Sequence, residues 1–249
     1  MPRFRFVCAA LTLILLAAPL QAAESTGAST DAYGTTVSKA IVFLTNAQAE
    51  DGSWSGYTGP AVTSMATAAL LRHGRTPSDP VVSKAIDFIL KHAQDDGGIY
   101  LKGSNHRNYE TCLSVMALSA ANADGRHDKV LASAERFLKK LQWDSDEGQD
   151  QSSMSYGGAG YGSHSRPDLS NTSFLVDALK QLGAGPEDEA MQKALVFVSR
   201  CQNLETEHNP SPHAAQVNDG GFYYTVAAGG SSQAGETDAG GLRSYGSMT

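Results

Sequence analysis

KAIVFLTNAQAEDGSW, residues 39–54, closes a helix-like run on Gln48 and follows it with Gly52 and Trp54. The stretch VSKAIDFILKHAQDDGGIY (82–100) repeats that order, which makes the spacing a pattern. Four segments line up: VSKAIVFL (37–44), VSKAIDFI (82–89), LASAERFL (131–138) and MQKALVFV (191–198). Their phenylalanines, Phe43, Phe88, Phe137 and Phe197, stand 45, 49 and 60 residues apart, and each segment leads to a glutamine: Gln48, Gln94, Gln142 and Gln202. Self-similarity at such a period signals stacked supersecondary units. In the first copy Val37, Ala40, Ile41, Leu44 and Ala47 recur at helical spacing, with Lys39 and Asn46 off that stripe. These segments read as amphipathic helices with one wet face.

Other helices alternate with them. Pro60 opens VTSMATAALLRHG, which stops at Gly74, and TCLSVMALSAANADG (111–125) and NTSFLVDALKQLG (171–183) follow. The first two carry almost no charge, and a helix apolar on all sides must be buried on all sides. Each unit therefore pairs an outer helix, half wet, with an inner helix enclosed by neighbours. Closed into a ring, this is an all-α fold, an α/α toroid. The pattern predicts helices at roughly 35–48, 61–73, 80–94, 109–122, 128–142, 171–182 and 188–203, in units of about 35–78, 79–126, 127–185 and 186–249. LRSYGSMT (242–249) falls where a fourth inner helix is due. Three and a half pairs predict an incomplete ring, either a piece of a longer protein or a chain that self-associates to close it. Met65, Ala69, Leu113 and Met116 would then be open to view.

The opening stretch resembles the QW repeat of squalene cyclases, basic-Ala-x2-aromatic-aliphatic-x3-Gln-x3-Gly-x-Trp. Nearly all of the chain beyond residue 34 is similar to the prenyltransferase/squalene-oxidase repeat superfamily. In that family the Gln ends an outer helix and bonds the start of the inner one, while the Trp stacks over it. The resemblance implies those roles for Gln48, Gly52 and Trp54. The other copies are degenerate: Gln94 with Gly98, Gln142 with glycines delayed to YGGAGYG (156–162), and Gln202 with Gly221 in DGGFYY (219–224).

Arg3 and Arg5 precede an apolar run from about Phe6 to Leu20, followed by Gln21-Ala22-Ala23. That is the pattern of a signal peptide over 1–23, with a short linker at 24–34, and it predicts a secreted or periplasmic protein without a transmembrane segment in its mature form. The net charge is −7, and losing Arg3 and Arg5 lowers it further. An acidic chain without a Lys/Arg cluster argues against nucleic acids and anionic membranes. Cys112 and Cys201 lack CxxC or zinc-finger spacing. Placed on different helices of different units, they read as free thiols.

Loops from outer to inner helix open at one end of such a ring. Tyr100, Tyr109, Tyr161, Tyr223 and Tyr224 lie there or just into the next helix, with Glu110, Asp168 and Asp238 among the acids. Amphipathic tyrosines beside carboxylates could line a ligand mouth, for an isoprenoid or a glycan. Equally, glycine-rich loops need aromatic plugs. In squalene-hopene cyclases the middle Asp of Asp-x-Asp-Asp-Thr, opening an inner helix, protonates an alkene. RPDLSNTSF (166–174) matches that motif at Asp168 and Thr172, but Ser170 stands in the acid's place and Asn171 beside it. A serine hydroxyl cannot protonate an alkene, so Asp168, Asn171 and Thr172 are the candidate catalytic group of a chain whose cyclase activity is doubtful. Asp168-x-x-Asn is equally a helix cap. Glu110-Thr111-Cys112 resembles the zinc pair of protein prenyltransferases, yet no histidine stands at a companion position, so no metal and no cofactor are expected. The alternative function is a non-catalytic glycan- or protein-binding scaffold.

Overall fold

The computed structural model describes residues 30–162, 166–206 and 209–249; the signal-peptide reading of 1–23 and most of the 24–34 linker lie outside them. Among the described residues eight α-helices form and no strand: α1 Thr30–Ala47, α2 Ala61–Arg72, α3 Pro80–Leu90, α4 Arg107–Ala120, α5 Asp128–Lys140, α6 Leu169–Gln181, α7 Glu189–Arg200 and α8 Ala214–Val217. Isolated β-bridges pin the loops, among them Ala93 to Ile99 and Gln202 to Phe222. These bridges explain why α3 and α7 stop short of the predicted ends: the backbone of His92 and Gln94 pairs with Tyr100 and Gly98 instead of continuing the helix.

The inner helices α2, α4 and α6 pack side by side, and the outer helices α3, α5 and α7 each lean on the inner helix of the preceding unit. Small polar residues allow that close inner packing: Ser64 and Ser114 share a 3.1 Å hydrogen bond between α2 and α4. Leu70, Leu118, Leu138, Leu175 and Leu179 fill the core between the layers. Each such side chain contributes roughly 1.5–3 kcal/mol on burial. Burial is incomplete for α2, where Met65 is 43% exposed, whereas Leu113 on α4, expected to be open, is buried. A second, smaller core gathers Leu169, Phe197, Cys201, Tyr223, Val226, Ala227 and Leu242. Residues 242–249 form a bridge and a turn there rather than a helix. Cys112 and Cys201 are free and buried, and burial pushes the Cys201 thiol up to about 12.

Three contacts recur and hold the units in register. The first is a glycine in the left-handed region. Gly52 (φ 91), Gly97 (φ 94) and Gly157 (φ 82) press against the backbone of the next outer helix, and a Cβ on them would stand 2.2, 2.6 and 1.8 Å from the carbonyl oxygens of Lys84, Ser133 and Lys193. Only glycine fits such an approach. The glycine of the second unit is thus Gly97, not the expected Gly98.

The second contact is a threonine near the head of each inner helix. The hydroxyls of Thr63, Thr111 and Thr172 accept the amides of Trp54, Ile99 and Ala159 at 3.0, 3.0 and 2.9 Å. Thr249 accepts the amide of Phe222 in the same way at 3.0 Å.

The third is the glutamine. Gln48 Nε2 donates to Gly52 O at 2.9 Å and to Val81 O at 2.7 Å, and Gln142 Nε2 to Gly157 O at 2.8 Å and Ala190 O at 2.9 Å. Val81 and Ala190 belong to the next outer helix, so the glutamine ties outer helix to outer helix instead of outer to inner. Gln94 departs from this and bonds His92 O and Tyr100 O, each at 2.9 Å. The Trp54 indole donates to Leu44 O at 2.9 Å and so closes the end of α1. Because Trp54 is 7% exposed, Trp54→Ala is expected to lower unfolding free energy by about 3 kcal/mol in denaturant titration; a loss below half a unit would show that this contact holds nothing.

Ion pairs add to the outer layer. Lys139 Nζ lies 2.7 Å from Asp188 Oδ2, and Lys193 Nζ 2.7 Å from Asp144 Oδ2. Partial burial works against ionisation of both aspartates, but their lysine partners and backbone amides outweigh it, and both carboxyls sit below their ordinary value. A depressed carboxyl contributes stability above its unfolded pKa and loses it as pH falls through the folded one. Thermal midpoints should therefore decline below about pH 4, less steeply in Lys193→Met than in the wild type. Parallel profiles for the two would remove the ion pair from the account.

Candidate functional site

Asp168, Asn171 and Thr172 do come together, at the start of α6. Asp168 is 2% exposed. Its Oδ1 accepts the Asn171 amide and its Oδ2 the Asn171 Nδ2, both at 2.8 Å. That is the geometry of a helix N-cap. Burial raises the carboxyl above its ordinary range, and the hydrogen bonds from Asn171 and Tyr224 and the charge of Arg166 restrain the rise. Arg166 lies 5.5 Å from the Tyr224 ring centre. Tyr161 and Asp168 both adjoin the Tyr224 hydroxyl, whose pKa burial pushes upward. Asn171 Oδ1 is buried without a protein partner. Thr172 is the third of the threonine latches.

The remaining residues separate into different surroundings. Both Glu110 oxygens are engaged by the preceding loop, Oε2 by the Leu101 amide at 2.7 Å and Oε1 by Ser104 Oγ. Tyr223 is fully buried, with its hydroxyl donating to Arg200 O at 2.6 Å. Tyr109 stands half-buried, edge-on to Phe174 with ring centres 4.8 Å apart. Asp238 is exposed. Gln202 Nε2 bonds Gly220 O at 2.8 Å, which puts Gly220 rather than Gly221 in the place of Gly52 and Gly157.

Tyr100 leads to a cleft that sequence reasoning did not assemble. Asp96, Arg107, Phe137, Lys140, Leu141, Trp143, Glu147, Gly160 and Gly162 line a space of about 260 Å³ between the loops of the second and third units. Tyr100 stacks on Phe137 at 5.6 Å and donates to Asp96 Oδ2 at 2.6 Å. Arg107 lies 5.8 Å over the Tyr100 ring and donates to Gly162 O. Among the described residues, neither the Trp143 indole N–H nor the Lys140 ammonium has a protein partner. Both remain available for a ligand. The one signal for this site was Trp143 directly after Gln142; Asp96, Arg107 and Glu147 are far apart in sequence and meet only through the fold. Among the described residues no group of three or more His, Cys, Asp or Glu side chains could hold a metal ion. No described helix is long and apolar enough to cross a membrane.

A family model for the squalene-hopene cyclase C-terminal domain matches residues 57–226. With more than half of its length matched, the chain belongs to this family, within the prenyltransferase/squalene oxidase repeat superfamily. A search of curated proteins finds no match.

If Asp168 acts as a cap, Asp168→Ala should cost about 1 kcal/mol of stability, while Asp168→Asn should keep most of it. Equal losses by chemical denaturation would mean that the charge matters and the cap does not.

Proposed function

We propose that this member of the cyclase family is an exported, non-catalytic binding toroid, and that it holds a sugar ring of a glycan in the cleft between its second and third loops. The observation that carries this reading is the cleft's composition. Trp143 and Phe137 offer apolar aromatic surface, while Asp96, Glu147, Arg107 and Lys140 offer hydrogen-bonding groups at the rim. A hydrocarbon chain would strip water from those charges without replacing it, which is unfavourable. A sugar ring stacks on the aromatic faces and bonds the rim. The volume of about 260 Å³ is just below the roughly 300–1,000 Å³ that encloses a drug-sized ligand, a size for one ring of a longer molecule.

Protonation chemistry is not supported by the start of α6. Asp168 has both oxygens engaged, and Ser170 occupies the position of the acid. A second reading, an isoprenoid along the inner helices, draws on the half-buried Tyr109, Met116 and Phe174 and the exposed Met65.

Two measurements decide between these. On a glycan array the protein should bind, and Trp143→Ala should weaken its best ligand about tenfold. An isoprenoid recovered by solvent extraction, with no glycan bound, would favour the second reading. Incubation with squalene should give no polycyclic product; a product that disappears in Asp168→Asn would show that Asp168 is the acid and that the protein is an enzyme.

A further inference from the structure

The outer-helix phenylalanine of the repeat has a cover in three units out of four. Phe88 lies beside Gly56, Phe137 beside Gly98 and Tyr100, and Phe197 beside Gly158, so in each case the preceding unit's loop shields it. All three are buried. On α1 the matching Phe43 is 70% exposed and Val42 58% exposed. The opposite mismatch occurs at the other end. The Gln202–Gly220 loop has the same closed form as its counterparts, with Gly220 at φ 77, yet a Cβ on Gly220 would meet nothing within 4 Å. Among the described residues no loop covers Phe43, and no helix meets Gly220.

The filled seats share a register. Each glycine faces the carbonyl four residues before the phenylalanine (Lys84, Ser133, Lys193), and two glutamines bond the carbonyl seven before it (Val81, Ala190). On α1 those positions are Lys39 and Thr36. Charge agrees as well. In the third-to-fourth seat Lys193 reaches Asp144, two residues past Gln142, at 2.7 Å. Lys39 is exposed at the equivalent place on α1, and the open loop carries an exposed Glu205 three residues past Gln202.

We propose that α1 docks on the Gln202–Gly220 loop of a second copy of this chain, repeating the contact that joins successive units. Gly220 then meets the Lys39 carbonyl, Gln202 donates to the Thr36 carbonyl, Lys39 pairs with Glu205, and Phe43 packs at the edge of the same loop. The contact is heterologous, each copy offering one half at each end, so it closes a ring or extends a filament according to its rotation.

Light scattering over a concentration series tests this on the whole chain. The wild type should form multiples of the monomer mass. Phe43→Asp and Gly220→Asn should each remain monomeric with an unchanged circular dichroism spectrum, since Phe43 is exposed and asparagine tolerates the left-handed region. To read the register, Lys39→Cys and Glu205→Cys chains are mixed and oxidised. A mixed disulfide dimer, absent from either chain alone, is the expected result. A wild type that is monomeric at every concentration overturns the proposal, including the case where another part of its own polypeptide shields Phe43. So does an oligomer that survives both substitutions, or a mixture that yields no mixed disulfide.

Discussion

The approach of a loop glycine to the backbone of the next outer helix governs the rest of this structure. A backbone-to-backbone contact leaves no side chain free to adapt, so the loop, the helix it touches and the spacing between units are set together. Around that contact the glutamine amide and the threonine hydroxyl supply directional bonds: one reaches the next outer helix, the other holds the loop on its own inner helix. Backbone groups in these loops would otherwise be left unsatisfied beneath the packed layer. Gln94 shows that the glutamine can depart while the glycine contact persists.

This scaffold also accounts for two residues at the start of α6. Thr172 belongs to the latch that Thr63 and Thr111 form elsewhere, and Asp168 closes a helix end. The fold alone gives Asp168 and Thr172 a reason to stand where they do. Among the described residues the Trp143 indole N–H and the Lys140 ammonium, one unit boundary away, have no protein partner.

The repeat of Phe and Gln, and the near absence of charge in the inner segments, were enough to read an all-helical stack of paired helices. What they could not supply was which unit each bond crosses to. Gln48 and Gln142 end one helix and bond another tens of residues away, and a spacing pattern has no information about that partner. Gly97 and Gly98 are indistinguishable in sequence because the sign of φ is decided by the approach of Ser133. The threonine latch was present at the head of every inner helix, but the separation from its partner amide varies from 9 to 12 to 13 residues and hides the repeat. The cleft was the least legible part, since its charged residues come from two loops, a helix start and a helix end.

Paired glycine substitutions measure the central contact most directly. Gly157 and Gly183 both lie in the left-handed region, at φ 82 and φ 94, but a Cβ would strike the Lys193 carbonyl at 1.8 Å in the first and meet nothing within 4 Å in the second. Gly183→Ala should therefore carry only the conformational penalty, about 1–2 kcal/mol. Gly157→Ala should lose about 1–3 kcal/mol beyond that, as forced overlap does in a packed interior. Equal losses in the two variants, measured by denaturant unfolding, would contradict the claim that this close approach sets the structure.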